Sequence, residues 1–84
     1  MIARYKNRGS EVIVDEDIVR INRSGGRKER FLIGDVVEVW DKRCIYDIPF
    51  FERSVFVTLI NGRRVKVKRM KKKNAYEFID ILEK

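Results

Sequence analysis

The stretch whose reading decides the fold is "SVFVTLINGRRVKVKR", Ser54–Arg69. Apolar and polar residues alternate on both sides of Asn61-Gly62, and a period of two sends successive side chains to opposite faces of a strand. Asn-Gly between two such runs is a strong hairpin signal, because both residues tolerate the positive φ of a tight turn. Two antiparallel strands joined by a two-residue turn are therefore expected. In the returning strand Val65 and Val67 share one face, while Arg64, Lys66 and Lys68 share the other. The valines belong inside: a slip of one residue would bury three cations and expose the apolar pair.

Working outward, the basic character continues to Lys73, so that "RRVKVKRMKKK" holds eight basic side chains and no acidic one. A helix follows. Asn74 is placed to cap it, and Glu77 stands three residues on, where a capping-box partner belongs. Ala75, Phe78, Ile79 and Leu82 form the i, i+3, i+4, i+7 stripe that packs on a sheet. Lys71, Lys72 and Lys73 are expected between strand and helix, as a positive rim. Their charge opposes the helix dipole, so they are not there to stabilise the helix.

Upstream the chain reads as more strands. "EVIVD" (Glu11–Asp15) and "DIVRINR" (Asp17–Arg23) are short, rich in β-branched residues and separated by a polar break. Gly25-Gly26 offers the positive φ angles of a hairpin turn. "ERFLI" and "DVVEVW" follow, with Gly34 as a bend or bulge between them. "CIYDIPFFER" holds the only proline, which cannot donate to a ladder, so Asp47–Arg53 reads as a loop. Strands first and one terminal amphipathic helix give a single α+β, mostly β domain over residues 1–84.

Composition narrows the function classes. A net charge of +7 and a pI near 9.9 favour anionic partners: nucleic acid, an acidic lipid face or an acidic protein patch. Many charges with no Gln and no His match a thermophile pattern. The single Cys44 excludes an internal disulfide and reads as a small buried hydrophobe. No signal peptide and no apolar run of about 20 residues is present, so a cytoplasmic protein without a transmembrane segment is expected. With no histidine, Ser-His-Asp, Cys-His and His-metal arrangements are impossible. Asp15-Glu16-Asp17 sits in a turn, and Asp35, Asp41 and Asp47 are scattered. The expectation is a non-enzyme with no cofactor and no metal.

The order of elements resembles the bacterial and archaeal pleckstrin-homology-like domains. The resemblance runs from about Val12 to Leu82 and is carried by "VIVDEDIVRINRSGGRKERFLIGDVVEVW", "VFVTLINGRRVKVKR" and "NAYEFIDILEK". Within it Leu32, Ile33, Asp35 and Val36 match an apolar-x-x-Asp-apolar segment that leads into a Val-rich strand. The resemblance implies a strongly bent antiparallel sheet or barrel closed by one C-terminal helix, and a docking rather than a catalytic role. Many eukaryotic members carry a Trp in the closing helix, whereas here Trp40 lies in a strand. Lys28-Glu29-Arg30 fits the end of the basic pattern of phosphoinositide-binding members, but the upstream Lys is replaced by Arg20 or Arg23. The last third of the chain is also similar to small basic archaeal chromatin proteins.

Two basic groups are the candidate partner-binding residues. The first is Arg64, Lys66, Lys68, Arg69, Lys71, Lys72 and Lys73, a row that tracks a polyanion. The same row also serves as protection of a sheet edge against aggregation. The second comprises Arg20, Arg23, Arg27, Lys28 and Arg30 around Gly25-Gly26, a hairpin cradle for a phosphate; alternatively Gly-Gly is only the turn and Glu29 pairs the arginines. Phe50 and Phe51 either fold onto the core or form a contact knob. Trp40 at a strand end reads as a packed edge residue rather than a ligand platform. Tyr5, Trp40 and Tyr46 have rings that could stack bases, but nothing in the sequence places them among the basic residues, so no stacking platform is expected. The leading expectation is a docking module whose basic surface meets an acidic protein patch or an anionic membrane face. The alternatives are sequence-independent binding of DNA or RNA, and a homo-oligomer sealed through edge strands.

Overall fold

The β-branched runs form strands, and the alternation within them builds the core. The computed structural model describes residues 3–7, 9–43 and 52–83. Strands β1 (Ala3–Asn7), β2 (Ser10–Val14), β3 (Ile18–Arg23) and β4 (Lys28–Leu32) form one antiparallel sheet in the order β1-β2-β3-β4. Strands β5 (Val36–Arg43), β6 (Glu52–Leu59) and β7 (Arg64–Lys71) form a second in the order β5-β6-β7. Helix α1 (Lys72–Leu82) closes the chain, giving the expected mostly β, α+β domain.

The two sheets bury their inner faces against each other and the helix. The first sheet contributes Tyr5, Val12, Val14, Val19, Ile21 and Phe31. The second contributes Val55, Val57, Leu59, Val65, Val67 and Met70, and α1 contributes Ala75, Phe78 and Leu82. Arg64, Lys66 and Lys68 are exposed, so the decisive hairpin faces the expected way. Gly25 and Gly26 both have φ near 83°, which explains Gly-Gly at the β3–β4 turn.

Several expectations are corrected. The β6–β7 turn spans Ile60, Asn61 and Gly62 rather than two residues: Gly62 N–H donates to the Leu59 carbonyl, and Leu59 N–H to that of Arg63. Gly62 takes the left-handed φ of 85°, as a three-residue loop with a bulge requires, and the Asn61 side chain accepts from Arg63 N–H. Gly34 is the expected bend, in a single 3-10 turn, Ile33–Asp35, that carries the chain between sheets, but it is not the bulge, which falls between Val36 and Glu38. Glu52 and Arg53 belong to β6, not to a loop, whereas Cys44, Pro49, Phe50 and Phe51 lie outside the described residues. Strand β1 was not foreseen. It is short, and only the alternation of Ala3 and Tyr5 with Arg4 and Lys6 marks it.

The helix begins at Lys72, with Lys71 in the cap position and no side-chain cap. Asn74 therefore lies within the first turn, and the expected Asn74–Glu77 capping box does not form. Apolar packing of Ala75, Phe78 and Leu82 holds the helix instead, and β7 runs directly into it. Lys71 ends the strand while Lys72 and Lys73 open the helix, so no separate rim exists between them. Glu77 has a different partner: it accepts a hydrogen bond from the Tyr5 hydroxyl at 2.9 Å.

That bond ties the first strand to the last element. Tyr5 is nearly buried, and its ring meets Phe78 edge-on at 6.0 Å. Burial, and then the Glu77 bond and charge, push the phenol pKa well above its ordinary value. The folded protein thus holds this proton more tightly than the unfolded chain. Stability is full below about pH 10 and falls as pH rises beyond it. Melts from pH 8 to pH 11 should show a steeper alkaline decline in the native protein than in Tyr5→Phe. The variant should melt lower at pH 8, for want of one hydrogen bond worth about 1 kcal/mol. Parallel curves would mean that Tyr5 is not the responsible group.

Candidate anion-binding site

Strand alternation divides the second basic group. In β3 and β4, Arg20, Lys28 and Arg30 point away from the core, and Arg20 stands directly opposite Arg30. With Arg4 and Lys6 of β1 they make the outer face of the first sheet basic, relieved by Glu11, which pairs with Arg4 at 3.6 Å. Arg23 and Arg27 instead reach the end of the sheet where the β1–β2 and β3–β4 turns meet. Ser24 N–H donates to the Gly9 carbonyl there, at 2.9 Å, and so fixes the two turns together.

Strand β7 of the other sheet arrives at the same place. The Arg23 guanidinium donates to the Lys66 carbonyl at 2.6 Å and to the Glu29 carboxylate at 2.6 Å. Arg63 also approaches Glu29, at 3.5 Å. Arg23 is thereby a clamp between sheets rather than an available cation. Around it an open cleft of about 490 Å³ is lined by Gly9, Ser10, Ser24, Arg23, Arg27, Glu29, Lys66, Lys68 and Arg69.

Among the described residues the cleft gathers five cations against one carboxylate. Arg69 is engaged with Glu52 at 3.3 Å, and Glu29 compensates Arg23. Arg27 and Lys68 have no ion-pair partner among the described residues, and the Lys66 ammonium lies 5.2 Å from the centre of the Phe56 ring. Positive charge concentrated in a concave, partly desolvated place attracts an anion more strongly than the same charge spread over a convex surface. The hydroxyls of Ser10 and Ser24 add neutral donors suited to carboxylate or phosphate oxygens.

Of the candidate residues, Arg23, Arg27, Lys66, Lys68 and Arg69 are thus brought together. Arg64 lies on the outer face of the second sheet, Lys28 and Arg30 on that of the first, and Lys71, Lys72 and Lys73 at the helix entrance. Lys72 there lies 5.9 Å from the centre of the Tyr76 ring. Glu29 pairs the arginines, as one of the two sequence readings allowed, and Gly25 and Gly26 do not line the cleft. Sequence reasoning missed Gly9, Ser10 and Ser24, which only the meeting of two turns makes relevant.

Trp40 packs on an edge strand as expected, but within the strand rather than at its end. It lies inside β5, opposite Phe56, and the two rings stack at 5.3 Å with planes 9° apart. Lys66 is the partner of Phe56 on the other side, so the indole does sit among basic residues.

Among the described residues, no group of three or more acidic or cysteine side chains could hold a metal, and no helix is long and apolar enough to cross a membrane. No known protein family, curated protein or solved structure matches the chain.

Proposed function

We propose that the chain is a non-catalytic binding module of the pleckstrin-homology-like class. Its partner is anionic, an acidic protein segment or an anionic lipid surface, and docks in the cleft where the two turns meet β7. The observation that carries this reading is the convergence of Arg23 and Arg27 with Lys66, Lys68 and Arg69, which lie some 40 positions apart in sequence. Edge protection requires outward charges on β7 but gives no reason for them to face Arg27 across a cleft. The two antiparallel sheets and the single C-terminal helix support the class, since the sequence resemblance implies an antiparallel sheet or barrel closed by such a helix.

The test is co-sedimentation with vesicles containing acidic lipid, beside retention on an immobilised acidic peptide, both at about 50 mM salt. Each Lys or Arg near an anionic lipid surface contributes about 1 kcal/mol. The variant Arg27→Gln/Lys66→Gln/Lys68→Gln should therefore lose roughly 100-fold in vesicle affinity if lipid is the partner. Its melting temperature should barely move, since exposed substitutions change stability by about 0.5 kcal/mol or less. Binding to the peptide but not to vesicles would identify a protein partner. Retention on neither support would remove the proposal, and equal binding by the triple variant would remove the cleft.

A further inference from the structure

The outer face of the second sheet carries a feature that a cleft for anionic groups does not use. Outward positions here are Glu38, Trp40 and Lys42 on β5, Phe56 and Thr58 on β6, and Arg64, Lys66 and Lys68 on β7. Trp40 and Phe56 form one stack, with the Lys66 ammonium at its far end. Four cations thus share this face with two parallel rings, and Glu38 is the one carboxylate among these positions.

Stacking of Trp40 on Phe56 alone would need no explanation, because cross-strand aromatic pairs stabilise sheets. Two further observations go beyond that. Trp40 keeps 38% of its surface exposed although it is the largest side chain type in the protein. It also stands on the outermost strand of its sheet with Phe56 on one side only, and no described ring or cation covers its other face. Among the described residues the stack is open at the indole end and closed by a cation at the other. Across the two strand spacings from β5 to β7, about 10 Å, the surface passes from a π-face to an ammonium.

We infer that this face is a binding platform for single-stranded nucleic acid. An unpaired base stacks on the free face of Trp40, extending the Trp40–Phe56 stack, while Lys42, Arg64, Lys66 and Lys68 neutralise the flanking phosphates. Single-strand binders combine these two elements, an aromatic ring for any base and a basic track for the backbone. An anionic lipid headgroup or an acidic side chain would use the cations but carries no aromatic ring to add to the stack. The first sheet offers the contrast: among the described residues its outer face is as basic but presents no aromatic ring, so it has only the electrostatic half of such a site.

Trp40 is the only tryptophan, so intrinsic fluorescence reports directly on this position. Titration with dT12 or rU12 at about 50 mM salt should quench it. Heparin, an anionic polymer without bases, should not. If four phosphates are engaged, log K should fall with log salt at a slope of about −2.8. In anisotropy measurements with labelled dT12, Trp40→Ala should bind about tenfold more weakly. Trp40→Phe should stay within about threefold, which separates loss of the ring from misfolding. Lys66→Gln should lower the salt slope by roughly 0.7. Vesicle and peptide binding through the cleft should survive Trp40→Ala, so this inference and the cleft fail separately. Absence of dT12 binding, equal quenching by heparin, equal affinity for duplex DNA, or full affinity in Trp40→Ala would each overturn it.

Discussion

Replacing Phe78 with alanine should remove about 3–5 kcal/mol of stability, the cost of truncating a fully buried aromatic residue. A domain of this length has roughly 4–12 kcal/mol in total, so the variant should be largely unfolded at moderate temperature. Phe78 is the largest of the side chains that are wholly shielded, and it works at a junction. Its ring lies against the edge of Tyr5 from the first sheet, and its own helix packs against strands of the second. No ladder of hydrogen bonds joins the two sheets among the described residues, so apolar contact at this junction substitutes for one. Chemical denaturation followed by circular dichroism measures the effect. Phe78→Leu, which keeps most of the volume, should recover most of the loss. A loss below about 1.5 kcal/mol for Phe78→Ala would mean that the helix does not close the core as described.

Several elements could be read directly from residue pattern, and the reasons are physical. Val65 and Val67 against Arg64, Lys66 and Lys68 admit one facing only, since the other buries three ammonium or guanidinium groups. Gly25, Gly26 and Gly62 announce turns because glycine takes a left-handed φ without strain, while Asn61 supports its turn through its side chain. The helical stripe from Ala75 to Leu82 is equally explicit. Its starting point was not, because Lys72 enters the helix without a cap and Asn74, the best capping residue nearby, is left inside the first turn. Strand β1 escaped notice because one buried residue, Tyr5, does not make a pattern.

The candidate sites were legible only in part. Basic residues are visible in any sequence, but their meeting depends on which turns share an end of the molecule. That Gly9 and Ser24 lie together follows from the β2–β3 register, which pairs Ser10 with Arg23, but the arrival of Lys66 and Lys68 from the other sheet beside them is encoded by no local pattern. The Trp40–Phe56 stack depends likewise on the register of β5 against β6, which a bulge between Val36 and Glu38 resets by one residue.

A second bulge hides the most sensitive position in the basic run. Val65, Val67 and position 69 would share the inner face of a regular strand, which would bury Arg69. Instead the β6–β7 register shifts between Arg53 and Val55, and Arg69 takes a left-handed φ of 61°. Such a conformation costs a residue with a Cβ about 1–2 kcal/mol. It is repaid in part because Arg69 turns outward to Glu52 and Met70 turns into the core, where it is wholly shielded. Met70→Lys should therefore lose the buried side chain, about 2–5 kcal/mol, and add the desolvation of an ammonium, several kcal/mol more. The sum meets or exceeds the stability of the whole domain, and the variant should be unfolded or insoluble. The reverse exchange two positions earlier, Lys68→Met, should change stability by about 0.5 kcal/mol or less, because Lys68 is exposed. Thermal melts of the two variants check the pair. Comparable losses in both, or a folded Met70→Lys, would show that the strand runs on without the bulge and that Arg69 and Met70 have exchanged faces.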